Sequence, residues 1–89
     1  MDNQALLPLG SVVQLKHLPV RLLIVGYGHR NERGELCRYC GASYPFGVTN
    51  APDMILFQPD EIERVAFRQT ESAEAVSFRE SIETVFAAK

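Results

Sequence analysis

Two blocks of four consecutive apolar residues dominate the pattern, Leu22-Leu23-Ile24-Val25 and Met54-Ile55-Leu56-Phe57. Runs this short, rich in branched side chains and bounded by Gly or Pro, predict strands whose two faces are both covered. We expect them to lie side by side. Upstream, Ser11 to Lys16 alternates, with Val13 and Leu15 on one face and Val12 and Gln14 on the other, as in a half-buried strand. Pro19 fixes its own φ and lacks a donor, so His17 to Val20 is a turn. A second strand follows from about Arg21 to Tyr27 and ends at Gly26-Tyr27-Gly28, which makes a strand pair out of the first third of the chain.

His29 to Glu35 holds no apolar side chain and is expected to be a solvated loop. Leu36 to Ala42 is the third strand, and Ser43-Tyr44-Pro45-Phe46-Gly47 a turn carrying two aromatics. An irregular link, Val48 to Asp53, leads to the 54–57 strand. In Pro59-Asp60-Glu61-Ile62, Pro and acids stand where a helical turn begins, because free N–H groups there tolerate Pro and favour negative charge. A short last strand, about Arg64 to Arg68, precedes a helix capped by Thr70 or Ser72 and running to about Ala88. Its Ala75, Phe78, Ile82, Val85 and Phe86 form one apolar stripe, and Glu74, Arg79, Glu80 and Glu83 lie mostly off it. The expected fold is α+β: a small, mostly antiparallel sheet of four or five strands, twisted or curled into a partly open SH3-like barrel, with the C-terminal helix packed on one face. It is read as a single domain over 1–89, with a flexible leader at 1–5, the sheet at 6–68 and the helix at 70–88.

At 89 residues, with 46% hydrophobic and 22% charged side chains, the chain has room for one core and no sign of disorder. A formal net charge of −2 makes a nucleic-acid partner less expected, since such domains carry a basic surplus. No apolar run approaches the roughly 20 residues that span a bilayer. The first residues lack the basic start and apolar core of a secretory leader. A cytoplasmic protein with reduced cysteines is expected.

Cys37 and Cys40 are spaced to share a zinc ion or to form a redox pair. A four-ligand zinc site would need His17 and His29 as well, and within a strand positions three apart point to opposite faces, so neither a metal nor a disulfide is expected. Gly26-Tyr27-Gly28 lacks the third glycine and the helix of a phosphate-binding turn. Asp60, Glu61 and Glu63 are accounted for by the helical turn they begin. No Ser/His/Asp set can be assembled, so no enzyme and no cofactor is expected. Tyr39, Tyr44 and Phe46 are the candidate partner-binding residues, because aromatics near a Pro/Gly turn offer large rigid contact surface; the competing possibility is that they fold back over the core. The helix stripe has the same two readings, its own sheet or a partner helix. A different class, a small nucleic-acid-binding barrel, would use Arg21, Arg30, Arg33 and Arg38 with exposed aromatics.

The order of Leu6-Leu-Pro-Leu-Gly-Ser-Val-Val13, Leu22-Leu-Ile-Val-Gly26, Tyr39-Cys-Gly-Ala-Ser-Tyr-Pro-Phe-Gly47, Phe57-Gln-Pro-Asp-Glu-Ile62 and Val65-Ala-Phe67 resembles a family of small domains, domain of unknown function 4176. Members are encoded in Gram-positive bacteria beside type VII (ESX) secretion loci and LXG-type toxins. The resemblance implies a cytoplasmic adaptor or chaperone-like partner of a secreted toxin or of its helical targeting protein, without catalysis. Separately, an exposed edge strand could pair with a second copy, so a homodimer is compatible with the chain. Phe46 stands where the family has an acidic residue after Tyr-Pro, and the cysteine pair is not common to the family.

Overall fold

The computed structural model describes residues 5–45 and 54–87. Five antiparallel strands, β1 (Val12–Leu15), β2 (Arg21–Arg30), β3 (Leu36–Tyr44), β4 (Ile55–Phe57) and β5 (Ile62–Phe67), form one sheet, and a helix, α1 (Ala73–Ala87), follows. The strand order is β4-β3-β2-β1-β5. The expected α+β class and C-terminal helix are present, and of the four or five strands expected there are five.

The connection between β4 and β5 explains the shape. These strands are at opposite ends of the sheet order, yet only Gln58 to Glu61 separates them, and Pro59–Glu61 is a 3₁₀ turn. Such a link reaches roughly 13 Å, at about 2 Å per 3₁₀ residue plus two extended steps. In a flat five-stranded sheet the edges would be roughly 19 Å apart. The sheet must therefore curl until its edges approach, and the link bonds to both sides. The Gln58 side-chain amide donates to Leu36 O (2.7 Å) and accepts from Arg38 N (3.3 Å), while Lys16 N donates to Glu61 O (2.9 Å). Glu61 Oε2 accepts from Gln58 N at 3.0 Å and holds the turn closed.

The inside of the curl is filled by Val13, Leu15, Leu22, Ile24, Tyr39 and Phe57, with Leu6 from the segment before β1 and Phe86 from α1. Gly41 suits this packing. A Cβ there would stand 3.0 Å from the Phe57 ring and 3.2 Å from Leu22 Cβ, so both neighbours would have to give by a few tenths of an ångström.

Several expectations need correction. The 22–25 and 54–57 runs are not neighbours, because β3 lies between β2 and β4 and pairs with both. Nor is 22–25 covered on both faces: Leu22 and Ile24 are buried, but Val25 is 42% exposed. Its register explains this, since Ile24 pairs with Gly41 and Gly26 with Cys40, leaving Val25 as the extra residue of a bulge. β2 runs to Arg30, so the solvated loop shrinks to Asn31–Glu35; His29 and Arg30 pair with Cys37 and Leu36, and backbone pairing needs no apolar side chain. There, Asn31 Oδ1 accepts from the backbone N–H groups of Arg33 and Glu35, an Asx-type closure of the turn. β3 extends two residues past Ala42, and β5 is Ile62–Phe67, directly after the 3₁₀ turn. Ser72, not Thr70, caps α1, its Oγ accepting from Ala75 N at 3.1 Å. Most of the expected leader and the turn from Phe46 to Asp53 lie outside the described residues.

A candidate docking face on the C-terminal helix

Phe86 and Ile82 pack the helix on the core, and a polar clamp around Arg79 ties it to the segment before it. Arg79 donates from Nε and Nη2 to the two carboxylate oxygens of Glu71 (2.8 and 2.9 Å), and from Nη1 to Glu83 Oε2 (2.8 Å). A fork-shaped guanidinium suits this two-sided pairing. The Arg79 hydrogen bond, followed by burial acting in the opposite sense, leaves the Glu71 carboxyl below its ordinary range, and Arg79 is held more firmly protonated. Glu83 Oε2 also accepts from Leu6 N at 2.7 Å. Leu6–Pro8 thus forms a strap between helix and sheet. Its next residue is fixed from the sheet side, where Leu7 N donates to the Tyr39 hydroxyl (2.9 Å) and Leu7 O accepts from the Tyr27 hydroxyl (2.6 Å).

Those tyrosines belong to an aromatic chain leading from the core to the surface. Phe57 stacks on Tyr39 (5.3 Å between centroids), Tyr39 lies against Tyr27 (6.2 Å), and Tyr27 against Phe78 of α1 (6.2 Å). Burial raises both phenol pKa values, that of Tyr27 to about 12. The chain ends in the open, because Phe78 is 51% exposed.

The stripe read from the sequence therefore divides. Phe86 is buried, Ala75 and Ile82 are half-buried, and Phe78 and Val85 remain half in solvent. Seven residues apart, Phe78 and Val85 stand nearly above one another on the helix. Beside them, Tyr27, Gly28, Arg30, Leu36, Ile82, Val85 and Phe86 line a groove of about 310 Å³. Gly28 lines it with φ +71, a left-handed conformation that favours glycine, while a Cβ there would only come into ordinary contact with the Phe86 ring at 3.4 Å. The Arg38 guanidinium sits 5.0 Å from the Phe86 ring centre.

The other candidate residues fall elsewhere. Tyr39 is 2% exposed and is a core residue, so the competing reading holds for it and it offers no contact surface. Tyr44 is 41% exposed, with the Arg21 guanidinium 5.7 Å from its ring, and Phe46 lies outside the described residues. Arg21 and Arg30 stand at opposite ends of β2, on the order of 30 Å apart at 3.3 Å per residue. Arg33 adjoins Glu35, so the four arginines do not converge on one patch. Cys37 and Cys40 are both buried free thiols, raised in pKa first by burial and, for Cys37, also by Glu61 and Glu35. Cys40 Sγ touches Met54 Sδ at 3.6 Å, while Cys37 adjoins Asn31 and Glu35. Among the described residues no group of three or more His, Cys, Asp or Glu side chains could hold a metal ion, and no helix is long and apolar enough to cross a membrane. The helical groove was missed in the sequence reading because one wall comes from β2 and β3; only the surplus of apolar positions on the stripe hinted at it.

No curated protein and no solved structure matches the chain. A family model does match, over residues 6–78, from the strap through all five strands and into the first half of α1. The chain belongs to the family described as domain of unknown function (DUF4176).

Proposed function

We propose that this chain is a non-enzymatic protein-binding adaptor, a chaperone-like accessory of type VII secretion that acts in the cytoplasm on an LXG-type toxin or its helical targeting partner. One observation carries the binding role: Phe78 and Val85 are half-exposed on one side of α1, and Val85 lines a groove beside the helix that would seat the apolar ridge of another helix. The secretion context rests on the family resemblance. Ile82 and Leu36 provide the apolar walls and Arg30 a polar rim, the usual division between the centre and the edge of a protein contact.

Co-expression with the LXG-type toxin and small helical proteins encoded nearest to it tests the reading. Co-elution on a sizing column is expected, and Val85→Asp should abolish it while leaving the circular dichroism spectrum unchanged. Co-elution that survives both Val85→Asp and Phe78→Ser would remove this face from the proposal. Normal toxin secretion by a strain lacking the chain would remove the accessory role.

A further inference from the structure

The same helical face is complementary to itself. Besides its two exposed apolar residues, α1 carries Glu74 in its first turn, and the groove at its other end is rimmed by Arg30. Arg30 donates to the Gly34 carbonyl, which leaves its charge unbalanced, and among the described residues neither Arg30 nor Glu74 is in an ion pair. The face thus has an acid at one end, apolar residues between, and a cation at the other.

We propose that, before its partner arrives, this groove is occupied by α1 of a second copy, packed antiparallel about a two-fold axis passing between Ser81 and Ile82. About that axis, Phe78 of each copy meets Val85 of the other, since the two positions are symmetric around it. Glu74 lies four residues before Phe78, about 6 Å along the helix, and so comes beyond the opposing Val85 to the end where Arg30 stands. Two identical ion pairs then close the ends of an isologous interface, with both helix dipoles antiparallel. The inference shares its face with the adaptor reading and adds the state of the free protein.

Sedimentation or light scattering of the purified full chain across a concentration series tests it. A reversible dimer is expected. Glu74→Arg and Arg30→Glu should each weaken it, by roughly tenfold given two symmetric contacts, and the double variant E74R/R30E should recover it, because swapping both signs restores each pair. Recovery by the double variant separates pairing from misfolding. A mass that stays monomeric at every concentration would overturn the proposal, as would a dimer indifferent to both charges. A monomer that still binds the toxin through Val85 would overturn the dimer and leave the adaptor standing.

Discussion

Leu6 and Glu83 are 77 positions apart in the chain and joined by a 2.7 Å hydrogen bond from the Leu6 amide to the Glu83 carboxylate. Because the same oxygen takes the Arg79 guanidinium, one side chain couples the strap, the helix and Glu71. Glu83→Ala should destabilise the fold by about 2 kcal/mol, the cost of leaving a partly buried donor and a charged partner short of an acceptor. Glu83→Gln, which retains an acceptor, should cost less. Urea denaturation of the three proteins measures the difference.

The Glu71 carboxyl titrates lower in the folded chain than its ordinary 4.5, chiefly through the Arg79 hydrogen bond. A depressed carboxylate adds stability that is complete above the unfolded value and disappears as pH falls through the folded one. Unfolding midpoints should therefore drop below about pH 4.5, and less steeply in Glu71→Gln than in the parent. Equal slopes for the two proteins would show that this pair does not govern the acid limb.

Tyr27 behaves in the opposite sense. Its phenol, raised first by burial to about 12, favours the neutral form in the folded state, so its stabilisation is complete below 10.0 and is lost as pH rises toward 12. Tyr27→Phe should cost about 1 kcal/mol near neutral pH for the lost bond to Leu7 O, and should flatten the alkaline limb. Tyrosinate absorbance in the native protein should show two phenols, those of Tyr27 and Tyr39, ionising late.

Both thiols are buried and raised in pKa, which makes thiolate scarce at neutral pH. A thiol-specific reagent should modify neither cysteine in the native protein on the timescale on which it modifies both in urea. Rapid native labelling of either one would reopen the question of thiol chemistry at Cys37 and Cys40.

Much of the architecture was readable from local pattern. The alternation in β1, the breaks at Pro19 and Pro59, the acids after Pro59 and a helix start near Thr70 or Ser72 each act within a few residues, so a single sequence displays them. The arrangement of β4 beside β3, with β5 carried round to β1, was not readable, because strand partnership depends on how far the sheet curls and the β4–β5 link sets that only once the sheet exists. Val25 escaped for a related reason: a bulge is a property of two strands in register, and it reversed the exposure that four apolar letters implied.

Four or five strands, a helical turn after Pro59 and one amphipathic helix were therefore legible in the chain alone, since propensity, capping and spacing are local quantities. Which apolar residues became core and which surface was settled only when the chain packed. Tyr39 went inward, where its ring could stack on Phe57 and its hydroxyl could bond Leu7. Phe78 and Val85 were left outside because a single helix lying over a curled sheet can turn only part of its stripe toward it, and Phe86 took the inner place.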